Sequence, residues 1–416
     1  MPTSATTGAS DSPLKKKPTA IGVFDRWGGW TIGMKEAGFD IKGLVPNNPK
    51  SRQCLHANHP DIMLTYKENA PHYRDIDVIY CAPPCAPYSQ ASNPQGGKQR
   101  LSKDHPKVAY AYDALEVGLA ILPKIWVLES VEGLYENSRD IIDEFANKWK
   151  ALGYEIVHFL TNGVLHGLPQ YRARYHLIAT KVDLKFTLTK QAQITVRDAI
   201  GHLPPDTEAQ PLKPHIQEIL KYTEPGGSLL NVWKKITAAA PGNPGPSIGL
   251  RRLAWDRPCW VIAGFSFYIH PEEPRLLTPL ETKALMGYPD DYLLPPGKIE
   301  KHLAATLLGQ GIMPPVGRYL AQVFYRALEK GYPAESTDYE EHESLVDFRG
   351  YVRHIPKDVV KLDPELWGSR PDLIAPFASK KVARAASRIA EYSEGIDESM
   401  DEDIDEEDED ATDSED

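Results

Sequence analysis

Val78-Ile79-Tyr80-Cys81-Ala82-Pro83-Pro84-Cys85-Ala86-Pro87-Tyr88-Ser89 is the stretch on which the reading of this chain turns. An apolar run of strand character ends in two prolines, whose fixed φ angles stiffen the turn, and the next residue is a thiol. Open α/β sheets bind their ligands in the crevice beyond the carboxyl ends of the strands, so Cys85 stands where a nucleophile would. Taken alone the segment is weak, because a cysteine in a Pro-rich loop is more often inert. Its surroundings give it weight.

Strand-like runs occur at 20–24, 41–45, 77–82, 124–129, 154–160 and 175–180, with helix-like runs between them at 30–37, 49–57, 107–122 and 139–152. That alternation predicts a doubly wound α/β domain, a mainly parallel sheet with helices on both faces. The rhythm stops after Lys181. The Pro-, Gly- and Trp-bearing stretch 182–274, with few helical periods, reads as an inserted smaller domain. Regular structure returns at Thr278-Pro279-Leu280-Glu281, a capped helix start, and a last helix is expected from about Val316 to Lys330. The expected organisation is a loose arm at 1–18, a first catalytic part at 19–181, the insert, a catalytic return at 275–330, an extension at 331–393 without an assigned role, and an acidic tail at 394–416.

The net charge of −11 is misleading as a whole: the 15 acidic residues of 394–416 account for −15, leaving the rest of the chain at +4. The body is mildly basic. Such a tail buries too little apolar surface to fold and is expected to be solvated, or to act as an anionic competitor for a cationic groove. Four cysteines (Cys54, Cys81, Cys85, Cys259), no signal peptide and no long apolar span lead to the expectation of a soluble intracellular protein without disulfides, membrane contact or a metal site.

Phe24-Asp25-Arg26-Trp27-Gly28-Gly29, Pro83-Pro84-Cys85, Glu129-Ser130-Val131, Gln170-Tyr171-Arg172-Ala173-Arg174, Arg275-Leu276-Leu277-Thr278 and Gly309-Gln310-Gly311-Ile312-Met313-Pro314-Pro315-Val316 follow one another in a telling order. Over roughly residues 20–330 the chain resembles the DNA cytosine-5 methyltransferase family. The Pro-Pro-Cys, Gln-x-Arg-x-Arg and Pro-Pro-Val blocks are specific together, though each is weak alone. The resemblance implies a Rossmann-like methyltransferase fold, a target-recognition domain at 182–274, double-stranded DNA as partner, and S-adenosylmethionine as the one-carbon donor. A monomer is expected.

The chemistry accounts for the residue types. Carbon 5 of cytosine is a poor nucleophile, so an enzyme first adds a thiolate to carbon 6, making an enamine. By similarity Cys85 is that thiolate. Charge pushed into the ring calls for a carboxyl group at the ring nitrogen, and Glu129, at the end of an apolar strand, is the candidate; otherwise it caps the next turn. Arg172 and Arg174, two apart, would point to one side of an extended segment, where a guanidinium can hold the ring carbonyl. The target atom lies inside the duplex stack, so the base must be rotated out.

For DNA binding the resemblance and the charge pattern single out Ser89, Lys98 and Arg100 on a Gly-bearing loop that suits a closing lid. They also single out Gln170, and Lys234, Lys235, Arg251 and Arg252 in the insert. Trp233, Trp255 and Arg257 belong to the same mix of cations and aromatics, although the tryptophans serve equally well as the core of a small domain.

The donor site is where the chain departs from its relatives. By resemblance Phe24, Arg26, Gly28, Gly29, Asn47, Pro83 and Gln310 line it. In the family the position of Arg26 is a glycine, that of Pro46 a ribose-binding Glu, and that of Gln310 an Asn; the Gly-Asp-Ile block is missing, with Glu68 the nearest stand-in. Ser130 replaces the Asn of Glu-Asn-Val. Losing a bidentate carboxylate costs about 1.5–3 kcal/mol. Two donors therefore compete: S-adenosylmethionine with substituted contacts, which the family favours, or methylene-tetrahydrofolate, whose carboxylates suit Arg26 and whose product would be 5-hydroxymethylcytosine. A third reading is a catalytically silent DNA-binding relative, opposed by the retention of Cys85, Glu129, Arg172 and Arg174.

Overall fold

The computed structural model describes residues 16–85, 88, 106–189, 193–204, 209–236, 250–264, 267–296, 301–329 and 339–341. A six-stranded sheet carries the chemistry, in the order β2-β1-β3-β4-β6-β5. Its strands are β1 (Thr19–Val23), β2 (Asp40–Val45), β3 (Val78–Cys81), β4 (Ile125–Ser130), β5 (Glu155–Asn162) and β6 (Ala173–Thr180). The first four run parallel, while β6 is antiparallel to both β4 and β5. Strands β1, β3 and β4 are buried at every position, as the near-continuous apolar runs require of a sheet covered on both faces.

The covering helices are α1 (Gly29–Glu36), α2 (Pro49–Asn58), α3 (Ala109–Ile121), α4 (Glu132–Asn137) and α5 (Arg139–Ala151). Helix α2 starts as its sequence dictates, with the Asn48 side chain accepting from Ser51 N at 2.8 Å and proline in the first turn. The single core around the sheet is rich in aromatics: Trp126 lies 5.4 Å from Trp149, which in turn meets Tyr154 edge-on at 4.6 Å.

After the sheet comes β7 (Thr187–Thr189). Among its described residues the stretch expected to be poor in helix holds three short ones, α6 (Val196–Ile200), α7 (Pro214–Leu220) and α8 (Leu229–Ile236), with the parallel pair β8 (Leu250–Arg252) and β9 (Phe267–Ile269). Its own cluster joins Ile216, Ile219, Leu229, Val232 and Trp233. Each helix is too short to carry a long periodic signature, which is why the pattern shows so little sign of them. Trp233 is 1% exposed and belongs to this core.

The chain then returns through α9 (Pro279–Met286), α10 (Lys301–Leu307) and α11 (Pro314–Glu329). Thr278 and Glu281 form a reciprocal capping box on α9, and Gly287 closes it in the left-handed conformation. Helix α11 begins at Pro314, two residues before the expected start, because proline is tolerated without penalty at a first-turn position. Beyond it β10 (Tyr339–Glu341) pairs antiparallel with β7.

Candidate active site

Three strand ends converge. The parallel ladder brings the end of β1 beside β3 and the end of β3 beside β4, so Pro83-Pro84-Cys85 leaves the sheet next to Glu129. Strand β6 enters from the opposite direction, pairing Glu129 with His176 and Ser130 with Tyr175. Arg174, two residues before His176, lies on the same face as Glu129 because side chains alternate along a strand. Its Nε is 3.1 Å from Glu129 Oε1, with both side chains nearly buried. Cys85 is half-buried, and its carbonyl accepts from Tyr88 N at 2.9 Å, which closes the turn behind the thiol.

The electrostatics follow from that closeness. Burial pushes the Glu129 carboxyl above its ordinary value, against the pull of Arg174 and Arg172. Burial also raises the Cys85 thiol; Arg174 acts against this, Glu129 adds to it, and Arg172 and Arg26 lower it. Both shifts favour the uncharged forms, so the carboxyl holds a proton more readily than an exposed one and the thiol ionises less readily.

Arg172 does something else. It is 1% exposed, and its guanidinium donates to three backbone carbonyls: Ile262 at 2.9 Å, Gly309 at 2.5 Å and Gly311 at 2.8 Å. The two terminal nitrogens of Arg172 thus bond the fold, while its buried Nε has no hydrogen-bond partner. Gln170, expected at DNA, is likewise fully buried, its amide donating to Leu285 O at 3.2 Å and accepting from Ile262 N at 3.0 Å. Together they tie the segment carrying Arg174 to residue 262 and to the turn 308–311.

Just past the end of β1 Phe24 adopts a φ of 60° and meets Tyr110 edge-on at 5.3 Å. Gly28 has a φ of 75° and faces Tyr292 and His59, while a Cβ on Gly29 would lie 2.0 Å from the Ile312 carbonyl oxygen. Both glycines are required by close internal approach. Arg26 lies over the Trp27 ring at 5.6 Å, Trp27 Nε1 donates to Gln310 Oε1 at 3.3 Å, and Pro83 is buried. Beside Pro46, the buried atoms Asn47 Oδ1, Asn48 Nδ2 and Ser51 Oγ have no hydrogen-bond partner. Unsatisfied buried polar atoms at a strand end fit a ligand bearing hydroxyl or amide groups. Glu68 is exposed.

Asp25 is not singled out by its pattern, yet it is 1% exposed and accepts from Thr31 N and Thr31 Oγ1, both at 2.7 Å. Thr31 Oγ1 also meets Tyr80 OH at 3.0 Å. The carboxyl thus occupies the amino end of α1, and burial raises it to about 6. An acid two residues past a strand, followed by Gly-Gly and a helix, is the signal that could have found it.

In the insert, the Arg252 guanidinium is held by Pro271 O at 2.9 Å and Thr223 O at 3.0 Å, so it supports the small sheet. Arg257 pairs with Asp256 at 3.1 Å, and Trp255 Nε1 donates to Glu272 at 2.7 Å. Arg251 is half-buried and stacks over Trp260. Ser89, Lys98 and Arg100, and the side chains of Lys234 and Lys235, lie outside the described residues, as does the acidic tail. Among the described residues no helix is long and apolar enough to cross a membrane.

The family model of C-5 cytosine-specific DNA methylases matches residues 19–326. The chain is 25% identical over 329 residues to the type II methyltransferase M1.HphI of Haemophilus parahaemolyticus, covering 73% of this chain and 86% of that protein. It is 24% identical over 306 residues to M.Eco47II of Escherichia coli, covering 66% and 72%. The solved structure of the Entamoeba histolytica methyltransferase EhMeth superposes with a TM-score of 0.55 at 16% identity, over 76% of this chain and 99% of that one. With the match spanning the sheet, the insert and the closing helix, the chain belongs to the C-5 cytosine-specific DNA methylase family and is an enzyme of that kind.

Proposed function

We propose that this enzyme modifies carbon 5 of cytosine in double-stranded DNA through a covalent bond from Cys85 to carbon 6, on a base rotated out of the helix. The observation carrying the reading is the Glu129–Arg174 pair at 3.1 Å beside the half-buried thiol. Arg174 holds the ring carbonyl and orients Glu129. Glu129, whose carboxyl burial pushes above its ordinary value, gives a proton to ring nitrogen 3 as the Cys85 thiolate, its own proton released to solvent, bonds carbon 6, so the ring gains electron density at carbon 5 without gaining net charge. Loss of the carbon 5 proton after group transfer expels the sulfur. Arg172 and Gln170 act at a distance by fixing the segment from which Arg174 projects.

S-Adenosylmethionine is the donor the family generally uses, and when bound it supplies an electrophilic methyl group. Asn47, Asn48 and Ser51, with their orphaned atoms, are the residues that take over from the missing acid. A second reading, favoured by Arg26 in place of glycine and Pro46 in place of the acid, has methylene-tetrahydrofolate as donor and 5-hydroxymethylcytosine as product. Mass analysis of nucleosides from DNA incubated with the enzyme and each donor in turn separates the two. 5-Methylcytosine with S-adenosylmethionine alone supports the first reading; 5-hydroxymethylcytosine with methylene-tetrahydrofolate alone replaces it with the second.

A further inference from the structure

Residues 259–262 meet 169–172 at one parallel bridge, Gln170 with Cys259: Cys259 N donates to Pro169 O at 2.7 Å and Tyr171 N to Cys259 O at 3.0 Å. Cys259 and Ile262 are buried, whereas Trp260 is half-buried and Val261 is 36% exposed. The backbone of this segment is pinned on every side, at Ile262 by Gln170 and Arg172, and at the Val261 carbonyl by the Tyr268 hydroxyl at 2.7 Å. So the Trp260 side chain is presented from a rigid support, within two residues of a group that bonds directly to Arg172.

Arg251, on β8, places its guanidinium 4.8 Å from the centre of the Trp260 ring. Its neighbour Arg252 is taken up by backbone carbonyls, but among the described residues Arg251 has no carboxylate partner and its guanidinium makes no hydrogen bond. The Trp260 indole N–H is also unbonded among the described residues, and it is not one of the buried orphans. A guanidinium stacked on an indole keeps its in-plane N–H groups available at the ring's margin. Two kinds of open donor, one charged and one neutral, thus lie together at the edge of the segment that frames the active site.

We propose that Arg251 and Trp260 form a phosphate-binding pair that grips the DNA backbone of the strand carrying the target cytosine. The pair is suited to a phosphate more than to a base: the ring packs against the second apolar cluster and lies under Arg251, leaving its N–H edge outward. A backbone grip anchored to residue 262 fixes the strand relative to Arg174, because Arg172 bonds the same residue and leads directly into β6. Phosphate contacts of this kind set register and orientation without reading sequence. The inference rests on the reading of this protein as an enzyme acting on DNA.

The test uses the full chain and a fluorescein-labelled duplex of mixed sequence, with affinity followed by anisotropy across a salt series. Arg251→Gln keeps the stem and a planar group over the indole but removes the charge; it is expected to reduce the slope of log affinity against log salt by about 0.9, one phosphate contact. Trp260→Phe keeps an aromatic ring and removes the N–H; it is expected to weaken binding about 2- to 10-fold with an unchanged Tm, as for one lost hydrogen bond. If either variant keeps the wild-type slope and affinity, the pair is not a phosphate site. Covalent capture of wild-type protein by 5-fluorocytosine DNA, run in parallel, separates the two claims: capture with unaltered salt slopes overturns this inference alone, and absence of both capture and DNA binding overturns the enzyme reading with it.

Discussion

Arg174 Nε and Glu129 Oε1 stand 3.1 Å apart because β6 runs against β4, which brings the first residues of one strand to the last residues of the other. A parallel β6 would put that arginine at the far end of the sheet. The ion pair is nearly buried, so its energy is not that of a surface pair: removing one partner leaves the other charge or dipole without compensation.

Glu129→Gln tests the acid. The amide keeps the size and an acceptor for Arg174 but has no acidic proton to give, so kcat is expected to fall about 10²- to 10⁴-fold with little change in DNA affinity. A loss in DNA affinity with kcat preserved would show that the carboxyl binds and does not catalyse.

Arg172→Met tests the partition of the two arginines. Three carbonyls lose their donor at once, and a cost of about 3 kcal/mol or more is expected, lowering Tm by roughly 6–12 °C. Arg174→Met, which breaks one ion pair and frees one backbone carbonyl, that of its neighbour Ala173, is expected to lose activity with a smaller thermal shift. Equal thermal shifts, with activity lost only in the Arg174 variant, would contradict the assignment of Arg172 to the fold.

Asp25 gives a pH signature. Its carboxyl is raised from 3.8 to about 6, so between those values the folded protein holds a proton that the unfolded chain has released. Its contribution to stability is complete below pH 3.8 and declines as pH rises through about 6. Buried His59 and His176 have the opposite sense: burial lowers them from 6.5 to about 4 and about 3, so stability falls as acid protonates the unfolded chain first. Asp25→Asn removes only the opposing term. The variant is expected to be more stable than wild type above pH 6, and to lose stability more steeply on acidification, by about 1.4 kcal/mol per pH unit between pH 4 and 6. Urea unfolding across that range measures it, and parallel curves for the two proteins would contradict the buried, protonated Asp25.

The sheet is legible in the sequence because every strand but β6 ends in a turn or helix signal, and the four main helices fall within a few residues of their expected ranges. The site is partly legible. Cys85 and Glu129 stand at strand ends, and strand ends can be read from an apolar run that stops. Arg172 and Gln170 escape such a reading because a buried arginine or glutamine looks like a surface one until its partners appear, and theirs are backbone carbonyls and amides from residues 90 to 139 positions away. Main-chain partners leave no trace in a side-chain pattern. Trp260 escapes it for the same reason: its placement depends on a bridge between Gln170 and Cys259 that no local signal announces.

The most direct measurement is intact-protein mass spectrometry after incubation with duplex DNA containing 5-fluorocytosine, with S-adenosylmethionine and with methylene-tetrahydrofolate in separate reactions. Fluorine at carbon 5 blocks the release step, so the account predicts a stable adduct in at least one reaction, mapped by peptide analysis to Cys85 and absent from Cys85→Ser. An adduct that survives in Cys85→Ser, or wild-type protein that binds the DNA and forms no adduct with either donor, would contradict the covalent chemistry assigned to this sulfur.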